Sequence, residues 1–457
     1  MSISKLTHHQ KTLVIVKIIV LFGFAGSASA LPSFARQTGE ACTACHVQTW
    51  GANLTPRGRD FKLKGYTEGG GNKNGWIPPV SAVIGGGGTF DMAEYKNNDY
   101  YIYPEKNGDN ARVNGSLFYA GKIAGNFGAY VQGTGIYDSR GGDPHGFLDK
   151  VDLRYANQLD LPGHHIDYGI SINNEPGVQD LWNTNATRSP FTIMNGTTSV
   201  YGLNTIAPLA DRALSGQVAG ATAYAMINNL LYVEAGGYAS LPHDIQRGIG
   251  RADAYYENPT INGGAPYWRI ALQHNWNGHY VSLGHFGLQA NMSTPASTWY
   301  FDPSNLKTSY SDLGVDATYQ YLANPDHIFE LKGRYVNETR NGSWDNSFYP
   351  SGAITNKFKV NLDSFNVNGS YTWQQLLGLS IGYQQFNFQN PAADYEFNLK
   401  YLTTQLSYTP FGKQHSIAAP WLNLQVNLGY IADVSGHNYI TPPPNSDMLY
   451  LNGQLAF

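Results

Sequence analysis

Cys42-Thr43-Ala44-Cys45-His46 is the stretch of this chain whose residue types and spacing set up a definite chemistry. Two thiols three positions apart reach the two vinyl groups along one edge of a porphyrin. The next residue places an imidazole under the iron as proximal ligand. The pattern therefore predicts one covalently attached c-type haem, with Cys42 and Cys45 binding the cofactor and His46 the metal. A C-x-x-C redox pair or a structural metal site would be the competing chemistry. No βαβ pattern surrounds the motif, the chain has only 2 cysteines, and the histidine is adjacent. These features favour haem.

Residues 1–30 provide the export that this chemistry needs. They contain Lys5, Lys11 and Lys17, no acid, and an apolar run from Ile18 to Ala25. They end in Ala28-Ser29-Ala30, which puts small residues where a signal peptidase reads them. The run is too short for a membrane anchor, so cleavage is expected after Ala30. Of 29 Lys and Arg, 26 then remain against 33 acids, a formal charge of −7 for the mature chain. That balance argues against nucleic acid as a partner.

The flanks of the motif carry a resemblance. Ala30-Leu31-Pro32-Ser33-Phe34-Ala35-Arg36-Gln37-Thr38-Gly39 leads into it. Leu54-Thr55-Pro56-Arg57-Gly58-Arg59 and Phe61-Lys62-Leu63-Lys64-Gly65-Tyr66 follow it. These stretches closely resemble the fused monohaem cytochrome–porin family of outer-membrane iron(II) oxidases, in which Pro-x-Phe-Ala-Arg-Gln-Thr-Gly precedes C-x-x-C-H. The specific match covers residues 30–66. Asn173-Asn174-Glu175-Pro176-Gly177-Val178-Gln179-Asp180-Leu181-Trp182-Asn183-Thr184 also looks family-like. The resemblance implies ferrous iron as the extracellular electron donor. A single haem cannot span the membrane, so a soluble periplasmic cytochrome or cupredoxin is expected as acceptor.

The elements that must position the motif follow from composition and period. Charged residues make up 14% of the chain, with 51 Gly, 32 Tyr and 13% aromatics. A mean hydropathy of −0.34 excludes a polytopic helical membrane protein, which needs repeated apolar runs of about 20 residues. From Pro79 onward apolar and polar residues alternate with period two. Leu422, Leu424, Val426, Leu428 and Tyr430 share one face, with Asn423, Gln425, Asn427 and Gly429 between them. The same holds for Leu313–Tyr321, Phe329–Tyr335 and Ile166–Ile172. A soluble sandwich would alternate in the same way, so connection lengths decide. Short turns are expected at Gly121–Gly125, Leu161–His165, Met226–Asn229, Asn324–His327 and Gln374–Leu376. Long loops are expected near 93–109, 137–149, 173–212, 241–264, 289–310, 339–357 and 432–447. This rhythm predicts an all-β outer-membrane barrel of about 16 antiparallel strands, with both termini in the periplasm. The 173–212 loop is long enough to fold into the lumen, and Phe457 resembles a barrel-assembly signal.

The expected organisation is a signal peptide over 1–30, a cytochrome segment over 31–78 and a barrel over 79–457. A segment that short rarely folds alone, so it is expected to plug the barrel from the periplasmic side. Other candidate sites are weak. His164-His165 and the His274, His279 and His285 group read as solvated or packing residues before metal ligands. Glu175 and Asp180 read as a solvated loop before a ferrous site. Glu330, Lys332 and Arg334 read as a neutralised lumen patch. For the sixth iron ligand, no Met or His lies between Val47 and Asp91, so a strong ligand is either absent or comes from the barrel (Met92 or His145), from a new amino terminus at Leu31, or from a less usual donor. Electron transfer for another donor, electron export, and a solute porin with a structural or sensory haem are the alternative functions.

Overall fold

The computed structural model describes residues 31–51, 53–70, 78–91, 110–138, 142–178, 180–185, 207–252, 258–293, 307–346, 354–390, 395–413, 416–435 and 447–457. The signal segment, Met92 and the Ser199–Ile206 stretch lie outside them. Three short helices come first: α1 (Pro32–Thr38), α2 (Cys42–Cys45) and α3 (Pro56–Leu63). The strands are β1 (Val80–Asp91), β2 (Asn110–Ala124), β3 (Phe127–Asp138), β4 (Gly142–Leu161), β5 (His164–Asn173), β6 (Val218–Ile227), β7 (Leu231–Ser240) and β8 (Thr260–Ile261). They continue as β9 (Ala265–Trp276), β10 (His279–Ser293), β11 (Lys307–Tyr321), β12 (His327–Asn346), β13 (Ile354–Trp373), β14 (Leu377–Asn390), β15 (Tyr395–Tyr408), β16 (Asn423–Asp433) and β17 (Met448–Ala456).

Each strand pairs antiparallel with its sequence neighbours, except that the two-residue β8 pairs only with the end of β10 and β7 passes directly to β9. The ring closes where β1 meets β17, in register from Val83↔Ala456 to Asp91↔Met448. Sixteen strands therefore form a closed barrel, as the turn rhythm predicts. Closure satisfies every ladder without leaving an edge, the condition a β-structure must meet to sit in lipid.

The alternation resolves into inside and outside. Ile170, Ile172, Phe329, Leu331, Leu313 and Val315 stand about half exposed on the outer face. Asp316, Glu330, Lys332 and Arg334, between them in sequence, are buried on the inner wall. An apolar belt around a closed polar-lined barrel is stable only against hydrocarbon, which places the protein in an outer membrane. At the end carrying the termini, Trp276 is sandwiched between His274 and His279, each 5.5 Å away, and His279 Nδ1 meets the Tyr319 hydroxyl at 2.9 Å. This is an interfacial aromatic rim, and His285 faces outward from the adjoining strand.

Several expected loops are strand. β3 runs to Asp138 and β4 begins at Gly142; β10 runs to Ser293, β12 to Asn346, and β13 begins at Ile354. The reason lies in the side chains: above the belt the outer face turns polar (Ser309, Asn337, Thr339, Asn341, Asn361), so these stretches read as loop although the ladder continues. The inner face inverts at the same level. Val360, Leu362, Phe386, Phe388, Leu399, Tyr401, Ile431 and Tyr450 form a buried apolar cluster on the lumen side. One connection at the terminal end also departs from the short-turn rhythm, since residues 409–422 separate β15 from β16.

Candidate haem-attachment site

The N-terminal segment is built by local signals. Pro32 opens α1 where no intrahelical donor is needed, and Gly39 closes it in the left-handed region at φ 75°. α2 is a single turn, so Cys42 and Cys45 share one side of it, and His46 N closes on the Cys42 carbonyl at 2.9 Å. His46 then bridges Leu54, and Val47 N donates to the Asn53 carbonyl. Thr55 joins the two halves. Its backbone N–H donates to the Cys45 carbonyl at 3.0 Å, its hydroxyl donates to the Ala44 carbonyl at 2.6 Å, and the same oxygen caps Gly58 N of α3. Phe34, Phe61 and Tyr66 pack as an aromatic triangle with centroids 5.0 to 6.0 Å apart.

The three motif side chains suit the predicted group. Cys42 and Cys45 are free of any disulfide and half-buried. Burial pushes the Cys42 thiol up to about 11. Burial, reinforced by the Glu40 carboxylate, pushes Cys45 up to about 12. His46 is held neutral: burial lowers it to about 4, outweighing the raising effect of the Gly51 carbonyl. That carbonyl lies 2.7 Å from His46 Nδ1, so Nδ1 carries the proton and Nε2 keeps a free lone pair. Ligating histidines are oriented by such a bond on their other nitrogen. Thiol pair, tautomer and turn all fit a c-type haem.

Beside Cys45 lies an ion network on the terminal-end surface. Arg57 pairs with Glu40 at 3.0 Å, with Asp60 at 3.7 Å and with Glu68, while Lys64 pairs with Asp60 at 2.8 Å and Glu68 at 3.2 Å. Below Arg57 and Arg59 a cavity of about 220 Å³ separates α3 from the wall at Met226 and Tyr280.

Wall residues hold the segment inside the lumen. Tyr66 donates to Asp152 at 2.7 Å, Arg59 to Gln320 at 3.0 Å, Lys332 to Asn53 at 2.9 Å, and Asn423 to the Thr49 carbonyl at 2.8 Å. The 409–422 connection contributes Gly412, whose carbonyl accepts from Thr43 N at 3.4 Å. The described residues of the β5–β6 loop (174–178, 180–185 and 207–217) fold inward, as expected of that loop. Lys62 donates to its Asp180 carbonyl at 2.9 Å, and Trp182 donates to the Tyr280 hydroxyl at 2.6 Å.

That loop corrects one expectation. Glu175 and Asp180 are buried, not solvated. Asp180 lies 3.5 Å from Arg269 and 3.9 Å from Arg334; burial opposes its ionisation, but Arg269, Arg334 and Lys62 prevail and hold it well below the usual carboxylate range. Glu175 accepts from Ser215 at 3.0 Å. Among the described residues no cluster of His, Cys, Asp and Glu is arranged to hold a metal ion. Glu330 and Lys332 do pair, at 3.3 Å, while Arg334 pairs with Asp211. His165 bonds Asp160 on the exposed β4–β5 turn, and His145 is exposed against Phe147. Lys62 and Arg59, which latch α3, carried no separate signal in the sequence beyond being charges in a short segment.

No family model matches the chain, and no curated protein sequence matches it. Solved structures with a similar outline include outer-membrane proteins. Salmonella typhi OmpF, in complex with daunomycin, is 16% identical, covers 83% of this chain and 96% of its own, and has a TM-score of 0.46. Acinetobacter baumannii OccAB1 is 12% identical over the same shares, at 0.41. OmpT of Vibrio cholerae is 12% identical over the same shares, at 0.40.

Proposed function

We propose that this chain is an outer-membrane c-type cytochrome–porin. It accepts electrons from extracellular ferrous iron through one covalently attached haem and passes them to a soluble periplasmic cytochrome or cupredoxin. The observation that carries this reading is the geometry of Cys42, Cys45 and His46: two free thiols on one turn and an imidazole with Nε2 free, held within a closed barrel. A bound haem would supply one-electron transfer at its iron, at a potential set by ligation and burial. The chain's own residues anchor and orient. Gly51 fixes the His46 tautomer, Thr55 ties the attachment turn to α3, and Lys62 and Tyr66 hold α3 against the inner loop and wall.

Rapid mixing of the purified oxidised protein with ferrous iron tests the reading. Reduction of the haem absorption band is expected, and no reduction at the working pH of the organism overturns the iron assignment. A second reading, a solute porin whose haem is structural or sensory, draws on the porin-like barrel with its charged inner wall. Liposome swelling without electron transfer supports that alternative.

A further inference from the structure

On the polar outer face above the apolar belt three lysines lie close together. Lys307 begins β11, and Lys357 and Lys359 lie near the start of β13; all three are exposed. Strand parity sets them on the outside of the barrel. Lys307 belongs to the series that continues to Leu313 and Val315, and Lys357 and Lys359 to the series that reaches Phe365. Register brings them together: Lys307 stands opposite Ser343, and Ser343 opposite Lys357. Two strand spacings separate Lys307 from Lys357, about 10 Å, and one pleat repeat, about 7 Å, separates Lys357 from Lys359. Side chains of this length let the three ammonium groups converge on one headgroup.

None of the three forms an ion pair among the described residues. Asp363, lower on the same face of β13, already accepts from the Tyr335 hydroxyl at 2.6 Å and from Asn337 at 2.8 Å. The cluster lies at the end of the barrel opposite the termini, hence on the outer-leaflet side. From Leu313 to Lys307 is six residues, so the ammonium groups stand roughly 15 Å above the belt for a strand tilted as in such barrels. That is headgroup depth rather than hydrocarbon.

We propose that Lys307, Lys357 and Lys359 form a docking site for the phosphate groups of an anionic glycolipid of the outer leaflet. Exposed ammonium groups at headgroup depth, in front of Asn341 and Asn361, offer charge and neutral donors to phosphate oxygens and to sugars. Free phosphate would meet the same chemistry without the hydrocarbon anchor below it.

The test uses the full-length protein in phosphatidylcholine vesicles containing bisphosphorylated lipid A, dephosphorylated lipid A, or neither. The readouts are retained glycolipid by native mass spectrometry and the unfolding temperature. Bisphosphorylated lipid A is expected to bind and stabilise, with affinity falling about tenfold or more in the Lys307→Glu, Lys357→Glu, Lys359→Glu triple variant. The matching lysine-to-arginine variant should keep it. Inorganic phosphate at the same concentration should not compete; full competition would reassign the site to free phosphate and overturn the lipid claim. Equal binding of phosphorylated and dephosphorylated lipid, or undiminished binding by a triple variant that still shows the heat-dependent gel shift of a folded barrel, would also overturn it.

Discussion

A β-carbon placed on Gly58 would lie 2.3 Å from the carbonyl oxygen of Cys45. The first turn of α3 therefore rests directly on the attachment turn, and only a residue without a side chain allows the approach. Gly58→Ala should push the two apart and cost about 1–3 kcal/mol of segment stability. Proteolysis of the full-length protein should cut near residues 40–66 faster than in the parent. Gly115→Ala, with open space around its α-carbon, is the control expected to be silent.

Replacing Cys42 and Cys45 together by alanine should remove covalent haem while leaving the barrel, because wall strands pair with each other and not with the motif. Haem staining on a denaturing gel should vanish. Staining that persists sinks the attachment reading.

Fractionation checks the membrane assignment. The protein should sediment with the outer membrane, resist salt washing, and migrate differently on gels before and after boiling. Recovery in a salt-washed soluble fraction would count against a barrel whose Ile172 and Leu331 face outward.

Arg334 serves Asp211 and stands beside Asp316 at 3.5 Å and Asp180 at 3.9 Å, all buried. Arg334→Met strands these carboxylates, and removing one partner of such a set costs about 3–5 kcal/mol. The inner loop should loosen first, read as faster amide exchange at Leu181 and Trp182. Unchanged exchange would show that Arg269 alone suffices.

Acid should loosen the N-terminal segment through Glu68. Partial burial raises its pKa, but bonds to Arg57 and the charges of Lys64 and Arg57 outweigh that and leave it below the ordinary value of 4.5. A depressed carboxylate stabilises the fold above its unfolded pKa and loses that contribution as pH falls through the folded value. Because the pair is about one-third exposed and screened, the effect is about 0.5 kcal/mol. Glu68→Gln should weaken the segment at neutral pH and match the parent once the medium is acidified below both values, as followed by proteolysis rates.

Much of the barrel was legible because its signal is local. Leu422–Tyr430 and Phe329–Tyr335 alternate, and in a closed sheet alternation translates directly into outside and inside. It failed where two neighbours of a residue change together. Thr339, Asn341, Lys357 and Lys359 face water above the belt, so polarity alone marks them as loop while the backbone keeps pairing. The attachment motif was legible because its spacing is covalent chemistry. Its supports were not: Tyr66 meets Asp152 and Arg59 meets Gln320 across 86 and 261 residues, and no local pattern announces such partners.

The segment also touches both sides of the seam where the barrel closes. Arg36 donates to the Val80 carbonyl of β1 at 2.5 Å and lies over Trp421, just before β16. Leu31 shares a cluster with Val83 of β1 and Ala456 of β17. Its seat is therefore composite, made of the earliest and the latest strands to be synthesised, and does not exist until they meet. Biogenesis acquires an order from this: the first and last strands zip, and only then does the amino-terminal segment find its berth. A chain arrested with that seam open would leave the segment unseated, within reach of periplasmic proteases.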